Sequence, residues 1–258
     1  MNSNLVFDIG MHYGLDTEFY LMKGFRVVAV EANPIMARDA QHKFARYLQS
    51  EQLAIENVGI WDAEGDLTFY RNLDKDDWSS FGREAGCRNN TRHEEMTVRC
   101  VRVASLIAKY GVPYYMKIDV EGADKLILRD LLSLSGRPKF ISAEEYGVDV
   151  IKDLARLGYE RFQIVPQMGK IELAPPVPAR EGSYTPRTFS GHDSGLFGKE
   201  LPASRWKGYD EAITEFLTSV RDERYVPTGV EGEWYDVHAM QPRSSWLRWL
   251  RARRNIEG

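Results

Sequence analysis

The chain is poor in cysteine. Cys87 and Cys100 are its only thiols, in neither metal nor redox spacing, which excludes a disulfide framework and leaves a reduced, cytoplasmic setting as the expectation. No run of about 18 apolar residues occurs, so no membrane-spanning helix is expected. With the first apolar stretch beginning at Leu5, no signal or transit segment is expected ahead of it. A basic surplus is missing too. The 34 Lys and Arg stand against 38 Asp and Glu, and a net charge of −4 argues against a general nucleic-acid surface, leaving only a local patch open. There is no internal repeat, no low-complexity tract and no G-x-G-x-x-G turn. What remains is ordinary soluble material: 258 residues, 43% hydrophobic and 28% charged, enough for one large domain or a domain with an appendage.

The most informative stretch runs from Leu5 to Pro34 and reads as strand, glycine turn, helix, strand. A short apolar run stops at Asp8, and Gly10 and Gly14 bracket a turn where backbone can approach a ligand. A helix over about 15–23 ends at Gly24, and the apolar run from Phe25 to Val30 stops at Glu31. Ligands of open α/β sheets bind outside the carboxyl ends of the strands, and an acid ending the second strand suits both hydroxyls of a ribose. The turn narrows the choice. Asp8 puts an anion where a pyrophosphate would be repelled, whereas a carboxylate suits a cationic head such as the ammonium of S-adenosylmethionine (SAM).

Asn33 and Pro34 form a cap and first-turn proline for a helix reaching about Ser50. Leu53 to Ile60 reads as a third strand, with Gly59, Ile60 and Asp62 as candidates for an adenine edge; Asp62 equally opens a turn ending at Gly65. Residues 66–71 and 95–103 pair as strands around a long loop, 74–92, of the kind that is functional or mobile. Ser105 is a candidate cap for a short helix. The segment Pro113 to Gly122 alternates Lys117, Asp119 and Glu121 with Ile118 and Val120, and charges so placed need partners or a role. Further elements are expected at 123–134 (helix), 139–145 (strand ending in Glu144 and Glu145), 148–157 (helix) and 161–166 (strand). Prolines and glycines dominate from Pro166 to Gly195, His192 to Gly198 is the candidate last strand, and 209–221 reads as helix. Trp206, Trp234, Trp246 and Trp249, four of six tryptophans, lie beyond residue 200. The division expected is 1–166 as the cofactor-binding core, with 167–258 supplying the last strand, acceptor-site loops and C-terminal helices.

Asp8-Ile9-Gly10, then Val28 to Pro34, then Lys117-Ile118-Asp119-Val120-Glu121-Gly122 together resemble the FkbM family of SAM-dependent methyltransferases, over roughly residues 4–165. The resemblance implies a class I, Rossmann-like α/β sheet of seven strands, the last antiparallel, with SAM at the carboxyl ends of strands one to four. It implies O-methylation of a hydroxyl on a sugar, a glycan or a related natural product. By position, Asp8, Gly10 and Gly14 would hold the methionine portion, Glu31 the ribose, and Asp119 the region of the transferring methyl. His12, Thr17, Ala32 and Asn33 complete the expected cofactor set. His12 is a departure, since many members carry Ala-Asn-Ile where this chain has Met11-His12-Tyr13. The tryptophan-rich C-terminal part is the expected wall for the acceptor.

For the chemistry, Asp119 is first choice to orient the acceptor hydroxyl or take its proton, and His192 second. Glu121 and Glu144 are assigned to neighbouring hydroxyls or to a divalent ion such as Mg²⁺, with Lys117 as their buried counter-ion. Residues 244–254 read as a basic amphipathic helix, docked on the body or touching an anionic membrane that carries a lipid-linked acceptor. Competing readings are a nicotinamide-dependent oxidoreductase and a SAM- or nucleotide-binding module without catalysis.

Overall fold

A computed structural model describes residues 3–242. Its central strand, β1 (Leu5–Ile9), shows how the sequence sets the layers. Leu5, Phe7 and Ile9 join one apolar cluster while Val6 joins the other, as side chains alternating across a strand must. The same alternation divides β2 (Arg26–Val30), where Val28 and Val30 face one way and Val27 and Ala29 the other. Strands buried on both faces need cover on both, and helices supply much of it.

Helix α1 (Leu15–Met22) links β1 to β2, and α2 (Pro34–Lys43) with the short α3 (Ala45–Gln49) leads to β3 (Leu53–Glu56). Next come β4 (Gly59–Ile60), β5 (Gly65–Asn72), α4 (Arg83–Gly86), β6 (His93–Val101) and α5 (Val103–Tyr110). Then follow β7 (Tyr115–Ile118), α6 (Asp124–Leu131), β8 (Phe140–Glu144), α7 (Asp149–Arg156), β9 (Arg161–Pro166), α8 (Tyr209–Ser219) and β10 (Tyr235–Met240). The main sheet has seven strands in the order β3-β2-β1-β7-β8-β10-β9. It is parallel except for β10, which runs antiparallel between β8 and β9. This is the Rossmann-like α/β sheet expected. A second sheet, β4-β6-β5, stands beside it.

Four local expectations need correction. The third strand breaks after Glu56, because Asn57 turns its amide onto the carbonyls of Glu31 and Ala32 and the chain crosses to pair β4 with β6. The helix from Pro34 is interrupted at Phe44, whose buried ring packs at the glycine turn; a Cβ on Gly14 would lie 2.6 Å from it. Ser105 lies inside α5, its hydroxyl donating to Glu64, and Arg102 occupies the cap position. The last strand is β10 and not residues 192–198. Gly195 and Gly198 hold left-handed backbone there, and the Ser194 amide donates to the Asp16 carboxylate instead of a ladder. Among the described residues no helix is long and apolar enough to cross a membrane. The expected helix over 244–254 lies outside the described residues.

The late segment covers the α1 side of the sheet with loops and single 3-10 turns. Phe189, Leu196, Phe197 and Leu201 share a cluster with Phe19, Tyr20, Phe25 and Tyr115. Buried polar links hold it as well: Tyr114 donates to Glu181, and Lys23 pairs with Glu200 at 2.7 Å with both side chains inaccessible. Removing one member of a buried pair leaves an uncompensated charge, so Glu200→Ala should cost about 3–5 kcal/mol in a urea titration. A loss under about 1 kcal/mol, the level of a surface pair, would contradict this anchoring.

Candidate active site

One cleft opens at the carboxyl ends of β1, β2 and β7. Its floor is the turn after β1, which hangs from the end of β2 because the Gly10 and Met11 amides both donate to the Val30 carbonyl. Gly10 has φ 87°, and a Cβ there would stand 1.7 Å from the Asp119 carbonyl oxygen. Only glycine fits between the two strand ends. Gly14, with φ 72°, then starts α1.

Beneath the turn sits a charge cluster centred on Lys117. Its Nζ lies 3.4 Å from carboxylate oxygens of Asp8, Asp16 and Asp119, and donates to the Gly10 carbonyl at 3.0 Å. Burial opposes the ammonium, but Asp8, Asp119 and Asp16 outweigh it and hold Lys117 well above its ordinary value. Asp8 is fully buried and accepts from the Thr17 hydroxyl at 2.5 Å; burial pushes its carboxyl up to about 6, despite Lys117. The expected partnership of Lys117 with Glu121 and Glu144 is corrected. Lys117 serves Asp8 in β1, Asp16 in α1 and Asp119 after β7, whereas Glu121 pairs with Arg88 at 3.3 Å.

Glu31 forms the opposite wall. Each of its oxygens receives one backbone amide, His12 N on Oε2 and Asn33 N on Oε1, both at 2.8 Å. Burial pushes this carboxyl up to about 7 against those two hydrogen bonds. Beside it, Val58, Gly59, Ile60, Phe69, Trp78 and Phe81 line an apolar side of the cleft. Gly59 makes room there, since a Cβ would meet the Phe81 ring at 2.2 Å. The long loop brings Asp76, Trp78 and Arg88 to the cleft and is tied to the turn after β7 by Ser80, whose hydroxyl donates to the Glu121 carbonyl at 2.7 Å.

The third side is acidic. Asp119 is half-exposed, and Glu121, at φ 45°, follows it on the turn. Burial raises Glu121 to about 7 in spite of Arg88, and burial together with Asp119 and Glu121 holds Glu144 well above the carboxylate range. The late loop closes the rim. Its Asp193 takes the Arg187 guanidinium and the Ser190 amide, Ser194 is fixed to Asp16, and His192 stands 5.9 Å, ring to ring, from His12. Burial lowers the His12 pKa.

Of the residues expected from sequence, Gly10, His12, Glu31, Ala32, Asn33, Gly59, Ile60, Asp119, Glu121, Glu144 and His192 line this cleft. Asp8, Gly14 and Thr17 are buried and do not reach its surface. Asp62 lies in an exposed turn away from it. Among the described residues no three His, Cys, Asp or Glu side chains are placed together to hold a metal ion. Sequence reasoning did not single out Asp16, Arg88, Lys170 or Asp236; Trp234, one of the late tryptophans expected at the acceptor wall, lines the cleft. Lys170 is buried on the cleft wall and donates to Gln167, with its pKa lowered by burial. Its flanks carry no motif, and only folding brings it to the site.

A family profile described as "Methyltransferase FkbM domain" matches residues 8–161. No curated protein matches the chain. Similar solved structures include a methyltransferase FkbM from Methylobacillus flagellatus KT, at 18% identity and a TM-score of 0.35. That match covers 56% of this chain and 33% of the other, so this chain spans about a third of that protein. A precorrin-6y C5,15-methyltransferase from Geobacter metallireducens GS-15 is similar at 11% identity and a TM-score of 0.40, covering 93% and 80% of the two chains. The C-terminal domain of the Rhodobacter capsulatus precorrin-6Y C5,15-methyltransferase is similar at 16% identity and 0.37, covering 72% and 77%.

Proposed function

The chain belongs to the FkbM methyltransferase family, and from that premise we propose that it is a SAM-dependent O-methyltransferase acting on a hydroxyl of a sugar, a glycan or a related natural product. The observation that carries the cofactor reading is Glu31. Two backbone amides fix its carboxylate on the cleft wall, and each oxygen keeps a lone pair for a ribose hydroxyl. The Gly10 turn, too tight for a side chain, would take the methionine portion beside it, with Asp8 and Lys117 setting the charge below. Val58, Ile60, Phe69 and Phe81 would take the base. When bound, SAM supplies an electrophilic methyl group.

The chain's own residues supply the rest. Asp119 stands at the end of β7 with one oxygen near Lys117 and the side chain half-open to the cleft, and it would receive the acceptor's hydroxyl proton. Glu121 and Glu144 would hold neighbouring hydroxyls, so that the reacting oxygen is oriented; such positioning accounts for much of the rate in a displacement. His192 and His12 close the rim.

A thermal-shift panel tests the reading. Ligand at about 100 times its Kd stabilises the fold by about 2.7 kcal/mol. SAM and S-adenosylhomocysteine should therefore raise the melting temperature by several degrees, and NAD should not. A shift with NAD alone would favour an oxidoreductase.

The pH dependence of binding follows from Glu31. Ribose hydroxyls donate more strongly to the carboxylate than to the acid, which offers fewer acceptors, so below about pH 7 a proton must leave before both charge-assisted bonds form. S-adenosylhomocysteine affinity should rise with pH up to about 7, by as much as about tenfold per unit, and then level off. Glu31→Gln should flatten that rise. An unchanged profile in the variant would place the titrating group elsewhere.

A further inference from the structure

Beyond Asp119 the cleft continues to a pair of acids that the cofactor does not need. Asp236 on β10 is the register partner of Glu144 on β8, and both line the cleft. Asp236 is only 7% exposed, yet among the described residues neither carboxylate has a hydrogen-bond or ion-pair partner. Neither nearby lysine makes an ion pair with them: Lys117 is held by Asp8, Asp16 and Asp119, and Lys170 donates to Gln167 and stands 5.8 Å from the centre of the Trp234 ring, acting on Asp236 only from a longer range. Burial and the Asp119 charge push Asp236 up to about 8, against the pull of Lys170 and Lys117. Trp234, two residues before Asp236, adds an aromatic side chain to the same wall.

The position separates this pair from the nucleoside end. From Glu31 on β2 to Asp236 on β10 is four strand spacings, roughly 19 Å along the sheet. Neutral hydroxyls would hydrogen-bond to the pair but do nothing to offset the cost of ionising two neighbouring buried carboxyls. A cation seated between them stabilises the ionised pair and makes charge-assisted bonds.

We propose that the acceptor carries a protonated amine as well as the reacting hydroxyl, as an amino sugar does, and that Glu144 and Asp236 receive its ammonium while Trp234 stacks on the ring. This rests on the methyl-transfer reading of the cleft and names the class of acceptor within it.

The test uses the full chain saturated with S-adenosylhomocysteine. Calorimetry would compare D-glucosamine, D-galactosamine and D-mannosamine with their N-acetyl derivatives and parent hexoses. At least one amino sugar should bind about tenfold or more tighter than both of its neutral counterparts. Asp236→Asn and, separately, Glu144→Gln should each abolish that preference while S-adenosylhomocysteine still binds, which also shows that the variants are folded. The proposal is overturned if no amino sugar outbinds its N-acetyl derivative by that margin, or if the preference survives both substitutions. It is equally overturned if Mg²⁺ alone binds the loaded protein and Asp236→Asn removes that binding. A protein that fails to bind S-adenosylhomocysteine at all would instead overturn the cofactor reading.

Discussion

Asp119→Asn should leave S-adenosylhomocysteine affinity within a few fold and cut turnover by at least about 10²-fold. The substitution keeps the shape of the side chain and removes its ability to take a proton. A sugar hydroxyl is a very weak acid, so its proton has to leave as the oxygen takes the methyl group, and a placed base contributes roughly 10²–10⁴-fold. Asp119 has the position for this: it follows β7 directly, its amide donates to the Ile9 carbonyl at 3.0 Å, and its backbone touches the Gly10 turn. That contact makes larger substitutions ambiguous, which is why the isosteric one is chosen. The competing base is His192, on the far rim near His12 and Tyr13. Normal turnover in Asp119→Asn with a dead His192→Ala would move the base to the late loop.

Glu31→Ala should weaken S-adenosylhomocysteine binding by at least tenfold while the protein stays folded. Each charge-assisted hydrogen bond between a ribose hydroxyl and the carboxylate is worth about 1.5–3 kcal/mol, and two are lost. The substitution also frees the His12 and Asn33 amides that now hold the carboxylate, so the turn after β1 loses one of its ties. Glu31→Gln separates the two effects. It retains an acceptor for one amide, so a loss of binding in both variants assigns the defect to the ribose contact. Unchanged calorimetric affinity in a folded Glu31→Ala protein would remove Glu31 from the site.

The βαβ unit was legible in the sequence because its signals are local. Apolar runs ending at Asp8 and Glu31, glycines with left-handed backbone and an Asn33-Pro34 helix start are fixed within a few residues of one another. The strand 161–166 and the pairing across the 74–92 loop are legible for the same reason. The last strand was not. Asp236 and His238 interrupt its apolar pattern, and both are buried, Asp236 at the cleft and His238 stacked on Tyr115 and opposite Gln163 in the register. Polar residues in a central strand look like surface until the neighbouring strands are known. The partners of Lys117 were misassigned for a related reason. Alternation correctly put Lys117, Asp119 and Glu121 on one side, but it says nothing of Asp16, which reaches Lys117 from a helix about 100 residues earlier in the chain. Asp62 carried two readings, adenine edge or turn opener, and it stands exposed in the turn before Gly65, as the second has it.

The central claim, that this cleft holds SAM through Glu31 with the chemistry at Asp119, is tested most directly by a crystal structure of the protein with S-adenosylhomocysteine. The account predicts both ribose hydroxyls on the Glu31 carboxylate, the base against Val58, Ile60 and Phe81, and the sulfur beside Asp119. A nucleoside bound elsewhere, or one in this cleft whose ribose does not touch Glu31, would contradict it.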